Sequence, residues 1–414
     1  MTDHVDPLPE LDALLGRWLT DTAPAREPEE LLDRVLTRTA GLRPRPAWWG
    51  AGNPLDILDT PRRALGRGLA LAILAAIVVG LLGLAVVAGG KPHLPLPLGR
   101  NGLLVAGAAG ELVLIDPRGA IVGREATGEM WGVGAWSHDG TRLAHLDGTA
   151  DQPDLVITDP QLREQLRIAL PPGSIPDLTW SPDDRRIAFP AEPSGPSRVY
   201  VIDVVAGARA RPITDPIVNA VTPRWSPDGD LIAVRGGTDV SEQALYVVRP
   251  DGMGLTRLSW IANAVDVCNI AWTPDGRSIV FGTQAGVFQV WIVDRDGLHE
   301  RPITKGSDQS LCPSVSPDGS RFAVAVWQDT GRYLTVQPLS DQPASKADVV
   351  TPAGPLWDTW MGVWSPDGRA VALNGRVLDG SPNPLAILDP NGRRPAQIIL
   401  GANAYVTDWQ RLAP

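Results

Sequence analysis

The run Trp225-Ser-Pro-Asp-Gly229, followed by Asp-Leu-Ile-Ala-Val234, constrains the fold more than any other feature, because variants of it recur along the chain. They are Trp136-Ser-His-Asp-Gly140, Trp180-Ser-Pro-Asp-Asp184, Trp272-Thr-Pro-Asp-Gly276, Val315-Ser-Pro-Asp-Gly319 and Trp364-Ser-Pro-Asp-Gly368. Successive anchors lie 44, 45, 47, 43 and 49 residues apart. A period in the forties with one aromatic-turn-strand signature per unit is what four-stranded propeller blades produce, since a single blade cannot bury both of its faces. Tyr405-Val-Thr-Asp-Trp409 adds a seventh anchor, 45 residues after Trp364 and without a turn behind it. The first unit, from Leu103-Leu-Val-Ala106 and Leu112-Val-Leu-Ile-Asp116, lacks an anchor of its own. The C-terminal strand is therefore expected to supply the inner strand of the first blade. The fold expected is an all-β, seven-bladed propeller, with six blades as the alternative if Trp409 is not counted.

Each position of the repeat has a folding reason. The Trp ends an inner strand and fills the space between blades. In the turn, Pro presets φ, Asp bonds its own backbone and Gly takes the positive φ. The strand that follows, such as Ile187-Ala-Phe189 or Ile232-Ala-Val234, is apolar throughout. Third strands are expected at Val199–Asp203, Leu245–Val248, Val290–Asp294 and Leu385–Asp389. The repeat is thus a statement about fold and almost none about activity.

The remainder of the chain is organised differently. Residues 1–62 are expected to form a small cytoplasmic head with two helical segments. In Leu8–Leu19, apolar residues 11, 14, 15, 18 and 19 share one helical face, and Pro28–Thr39 begins with Pro and two acids. Two such helices bury little surface, so the head is expected to be weakly ordered or to fold on a cytoplasmic partner. Residues 63–90 are expected to be a transmembrane helix, because Gly68 to Gly90 contains no charge and a helix of that length crosses a hydrocarbon core of about 30 Å. Arg43, Arg45, Arg62, Arg63 and Arg67 precede it, against Lys91 and Arg100 after it, which places the N-terminus in the cytoplasm and the rest of the chain outside. Residues 91–101 are a short tether, and 102–414 the propeller. The net charge of −10 gives no footprint for nucleic acid.

The units Trp225-Ser-Pro-Asp-Gly229 with Leu231-Ile-Ala-Val234, Leu245-Tyr-Val-Val-Arg-Pro-Asp-Gly252 and Thr256-Arg-Leu-Ser259 resemble the WD-like propeller repeats of TolB-type periplasmic proteins. The likeness covers about residues 100–414. It departs at Val315, at Asp184 in place of Gly, at His138 in place of Pro, and in implying seven blades where TolB has six and a second domain. The head and Arg45-Pro-Ala-Trp48 are similar to the cytoplasmic heads of single-pass, propeller-bearing membrane proteins of high-GC bacteria. The resemblance implies a binding module of the cell envelope.

Catalytic chemistry is poorly represented. TolB-like propellers also cap prolyl-peptidase hydrolases, but those need a separate hydrolase domain with a Gly-x-Ser-x-Gly elbow, and no segment of that size is left beside the repeats. His138 and His145 belong to one hairpin and suit structural roles better than metal ligation; no metal and no cofactor are expected. Cys268 and Cys312 enter consecutive inner strands at similar heights, so a disulfide is expected if the compartment is oxidising, with two buried thiols as the alternative. The loops entering the inner strands surround the channel mouth and contain Trp131, Asp177, Asn219, Asp266, Asn269, Asp308, Trp357, Asp358, Trp360 and Tyr405. Aromatic residues beside carboxylates suit recognition of an envelope protein or peptide; the other reading is that Trp357 and Trp360 pack beside Trp364 and the acids solvate loops. The expected function is non-catalytic binding at this face, with signalling through the head as an extension and an acid-using extracytoplasmic hydrolase or lyase as the alternative.

Overall fold

The computed structural model describes residues 98–414 apart from 109, 129, 131, 176, 216–217, 239–241, 261–269, 284–287, 305–308, 329–330, 341–356, 378–384, 394–396 and 401–404. The expected head and transmembrane helix lie outside the described residues.

Seven antiparallel sheets form seven blades. Blade 1 joins the C-terminal strand Tyr405–Leu412 to Arg100–Ala108, Glu111–Ile115 and Ile121–Ala126. Blade 2 is Gly134–Trp136, Leu143–Gly148, Pro153–Thr158 and Glu164–Ala169; blade 3 is Thr179–Trp180, Arg186–Ala191, Arg198–Asp203 and Arg211–Pro212. Blade 4 is Val221–Trp225, Ile232–Gly236, Ala244–Val248 and Thr256–Arg257; blade 5 is Ile270–Trp272, Ser278–Thr283, Gln289–Asp294 and Arg301–Pro302. Blade 6 has three described strands, Gln309–Val315, Arg321–Gln328 and Gly331–Pro338, and blade 7 is Trp357–Trp364, Val371–Val377, Leu385–Leu388 and Gln397–Leu400. The last strand pairs Leu104 with Trp409 and Asn101 with Arg411, so both ends of the propeller sequence share one sheet, which closes the ring.

The core lies between blades rather than within them. Trp225 packs on Ala188, Val199 and Val201 of blade 3, Trp272 on Ala233, Leu245 and Val247 of blade 4, and Trp364 on Ala323, Leu334 and Val336 of blade 6. Several indoles also donate a hydrogen bond backwards around the ring. Trp180 Nε1 reaches the Ala135 carbonyl at 2.9 Å, Trp272 reaches Arg224 at 3.0 Å and Trp364 reaches Ser314 at 3.0 Å. Where an Arg stands six residues after an anchor, its guanidinium covers the next indole: Arg142 over Trp180, Arg186 over Trp225 and Arg321 over Trp364, each about 5 Å from the ring centre.

The anchor turns repeat one hydrogen-bond scheme. In the last of them the Ser365 hydroxyl donates to Asp367 at 2.6 Å, Gly368 N–H donates to the Ser365 carbonyl at 2.8 Å, and Arg369 N–H donates to Asp367 at 3.0 Å. The fifth position has φ of 67 to 74° in five turns and 55° at Asp184, where glycine is favoured because it has no Cβ to clash. Four of these glycines also lie against the turn proline of the preceding blade: a methyl group on Gly229 would sit 3.6 Å from Pro182, on Gly276 3.6 Å from Pro227, on Gly319 3.3 Å from Pro274 and on Gly368 3.9 Å from Pro317, whereas Gly140 faces the Arg411 carbonyl of the closing strand.

Blades 2 and 3 depart from this pattern together. His138 occupies the proline position, and its N–H donates to Asp184 Oδ1 at 2.7 Å; Asp139 N–H donates to Oδ2 at 2.9 Å, and His138 Nδ1 lies 3.1 Å from Oδ1. A proline at 138 has no N–H to give, and a glycine at 184 has no carboxylate to receive it. The two departures noted in the sequence are one polar contact replacing an apolar one.

Candidate functional site

The inner strands enclose a cavity of about 820 Å³ on the propeller axis. Its wall includes the residue before six of the seven anchors: Ala135, Thr179, Arg224, Ser314, Val363 and Asp408 all line it. Most of these are small or apolar; Arg224 and Asp408 bring charge, and Asp177 and His138 also reach the lining.

Asp408 stands where the last strand meets blade 2. Its Oδ2 accepts the Trp136 N–H and its Oδ1 the Trp409 N–H, both at 2.7 Å. Burial pushes the carboxyl up to about 6, against the opposing pull of these two donors and of His138 and Arg224. Its neighbour Thr407 makes a second tie to blade 2, its hydroxyl donating to the Gly134 carbonyl at 2.8 Å and accepting the Gly134 N–H at 3.2 Å. Arg224 is held at 2.8 Å to Asp177 and at 2.7 Å to the Pro223 carbonyl. The cavity thus presents a fixed cation–carboxylate pair and a carboxyl whose protonation changes near neutral pH.

Bulges aim these side chains. The ladder register breaks between Val221 and Arg224, between Leu311 and Ser314, between Thr359 and Gly362, and around Thr407. Two of the breaks contain proline, Thr222-Pro223 and Cys312-Pro313, with Thr222 and Cys312 at φ of 54 and 55°. Proline cannot donate to a ladder, so it settles where the ladder is interrupted, and a bulge re-aims the residues beside it.

Of the residues singled out in the sequence, Asp177 and Tyr405 line the cavity, and Tyr405 is exposed. Asn219 does not line it; its Oδ1 accepts the Ser197 N–H at 2.8 Å and its backbone takes a positive φ of 45°. Trp357, Asp358 and Trp360 lie on the inner strand of blade 7, with Trp357 opposite Val377 and Asp358 opposite Arg376. Trp131, Asp266, Asn269, Asp308 and Cys268 lie outside the described residues. Cys312 is disulfide-bonded, and Cys268 is the one other cysteine of the chain. Arg224, Thr407 and Asp408 were not singled out. The signal was present in the column before the anchors, Ala135, Thr179, Arg224, Ala271, Ser314, Val363 and Asp408, where only two residues carry charge.

No group of three or more metal-binding side chains occurs among the described residues. His145, buried against blade 1, lies 3.4 Å from Glu125.

Comparison with known proteins extends the likeness. Residues 129–290 match the family model of the TolB beta propeller domain. That stretch runs from the entrance of blade 2 into blade 5. An uncharacterized peptidase of Bacillus subtilis, YuxL, is 26% identical over 195 residues, covering 44% of this chain and 27% of that protein. A TolB homolog of Chlorobium chlorochromatii is 30% identical over 138 residues, covering 33% of this chain and 30% of its own. The chain therefore matches less than a third of the length of either relative. Among solved structures, oligogalacturonate lyase in complex with manganese superposes with a TM-score of 0.54 at 15% identity, covering 70% of this chain and 89% of that one; at that identity the likeness concerns fold alone.

Proposed function

We propose that this chain is a single-pass membrane protein whose extracytoplasmic, TolB-like propeller binds an envelope protein or peptide at the channel mouth without transforming it. The observation that carries the reading is the cavity: Asp177, Arg224, Asp408 and Tyr405 converge on one opening in a closed ring. Donors and acceptors fixed in a concave, partly apolar site recognise an extended segment by hydrogen bonding at low ordering cost. The Asp177–Arg224 pair is arranged to hold side chains in place, and both oxygens of Asp408 are engaged by backbone N–H groups, which favours recognition over proton transfer. Residues 1–62 are the proposed cytoplasmic side, able to engage a partner there. Relay across the membrane requires that the ligand discriminate two states of the protein.

The test is a crosslinking pulldown from native membranes with the head deleted or retained, which separates partners of the two sides. Arg224→Ala and the pair Trp357→Ala with Trp360→Ala are expected to lose extracytoplasmic partners from a folded protein. Unchanged capture by all of them sinks the channel-mouth assignment.

One observation favours a second reading, an extracytoplasmic hydrolase or lyase: the raised pKa of Asp408 in a cavity is the kind of shift catalytic acids show. Turnover of an envelope peptide or glycan that Asp408→Asn abolishes, with binding retained, would establish it in place of the first.

A further inference from the structure

Strand direction fixes which parts of the ring share a face. Each inner strand runs toward its anchor turn, the second strand runs back, and the third returns to the same side. The turns between third and fourth strands therefore lie on the anchor-turn face. Direct contacts agree: Arg295, in the third-to-fourth turn of blade 5, donates to Asp228 in the anchor turn of blade 4 at 2.6 Å, and Arg321 of blade 6 donates to Asn391 of blade 7 at 3.2 Å. The chain also enters the propeller on this face. Asn101 Oδ1 accepts the N–H of Asp367, in the anchor turn of blade 7, at 3.2 Å.

Three consecutive blades place a large apolar residue on the third-to-fourth turn. Val205 of blade 3 is 59% exposed, Met253 of blade 4 57% and Leu298 of blade 5 58%. The turns need Gly and Asp for their geometry, as in Asp251-Gly252 and Asp296-Gly297, yet nothing in a solvated turn requires an apolar residue next. Arg249, Asp251, Arg295 and Asp296 flank Met253 and Leu298, so apolar tips stand among charges of both signs. That combination suits the boundary between lipid headgroups and acyl chains, where apolar tips enter and cations meet phosphates. Leu98, beside the point of entry, is also exposed. Upstream of it, the nine residues Lys91 to Gly99 are all that separate the uncharged run ending at Gly90 from the first strand. Fully extended they reach about 30 Å. A propeller tethered that closely, and by this face, presents these turns to the bilayer.

We propose that the anchor-turn face rests on the lipid bilayer with Val205, Met253 and Leu298 at its interface, leaving the channel mouth directed away from the membrane. This rests on the reading of residues 63–90 as a membrane anchor.

The test uses the full chain reconstituted in vesicles containing brominated phospholipid. Met253→Cys, Leu298→Cys and, on the opposite face, Ser194→Cys are each labelled with an environment-sensitive fluorophore; Cys312 is held in a disulfide and is spared. The labels at 253 and 298 are expected to shift to the blue and to be quenched by the bromolipid, while that at 194 is not. Val205→Asp combined with Leu298→Asp is expected to abolish quenching of the label at Met253→Cys. Flotation after an alkaline wash with no quenching at 253 or 298 overturns the docking and leaves the anchor standing. Quenching with release by the wash overturns the anchor and supports the docking. A chain that never floats overturns both.

Discussion

The junction between blades 2 and 3 differs from the four that follow it around the ring. In those four, a turn proline lies on a turn glycine of the next blade, an apolar contact needing no alignment of donors. In the exception, His138 and Asp139 donate to the carboxylate of Asp184, which tolerates its positive φ because short polar side chains can bond locally there. One repeat position thus accepts two chemistries, provided that both partners change together. Two blades depart in other ways: blade 6 has Val315 in place of the anchor indole and carries the Cys312 disulfide, and the closing blade has Gln410 where the others have the turn Ser or Thr. Gln410 bonds the Leu103 N–H at 2.8 Å and the Gly140 carbonyl at 2.7 Å.

The comparison is tested most severely at closure. Trp409→Ala is expected to lower stability by about 3–5 kcal/mol, as for other buried large-to-small changes, measured by the denaturant midpoint. A loss near zero would show that the last strand does not hold the ring. At the Val315 blade, the denatured, unreduced protein is expected to show no free thiol and two after reduction. Reduction is expected to cost up to roughly 4 kcal/mol on the chain-entropy model; two thiols before reduction would break the assignment.

Asp408 has the next largest effect. Its carboxyl is raised, so the folded state holds a proton that the unfolded chain releases above its ordinary value near 3.8. Its contribution to stability is therefore complete below that value and is lost as pH climbs through about 6. The turn acids have the opposite sign. For Asp228, burial raises the carboxyl but Ser226, Arg295 and the Asp230 N–H together bring it below the ordinary value, so its contribution is lost as pH falls through its folded pKa. Asp408→Asn is expected to remove the decline between pH 4 and 6, on the order of 1–3 kcal/mol, in unfolding followed across that range. An unchanged profile sinks the assignment.

The smallest effect is the most specific. His138→Pro and Asp184→Gly, each alone, are expected to cost about 1–2 kcal/mol, because each breaks a partly buried, charge-assisted hydrogen-bonded contact. Together they rebuild the ordinary junction, so the double variant is expected to regain most of the loss. Additive losses would show that the two positions are independent.

The fold was legible because Trp-Ser-Pro-Asp-Gly is a local structure: its turn, its anchor and the strand behind it are written in adjacent residues. Trp409 extended that reading to the seventh blade. The cavity was less legible. Asp177 and Tyr405 were found by their place before an inner strand, whereas Asn219, in an equivalent place, spends its carboxamide on Ser197. Arg224 and Asp408 escaped because the Trp beside each explains the strand fully. What brings them onto the axis is a set of bulges, and only Thr222-Pro223 and Cys312-Pro313 mark those in the sequence. The pairing of His138 with Asp184, 46 residues apart, is long-range and becomes visible only when the two departures are read together.

Closure by the C-terminal strand also sets an order of events during synthesis. Arg100–Ala108 is made early, but its partner Tyr405–Leu412 is made last, and Leu103 waits for Gln410 across 307 positions. Until then the first blade presents a bare, largely apolar strand edge, a template for pairing with another chain. A chain stalled or clipped before Tyr405 would therefore be not a slightly shorter propeller but an open one, with the edge of Arg100–Ala108 exposed.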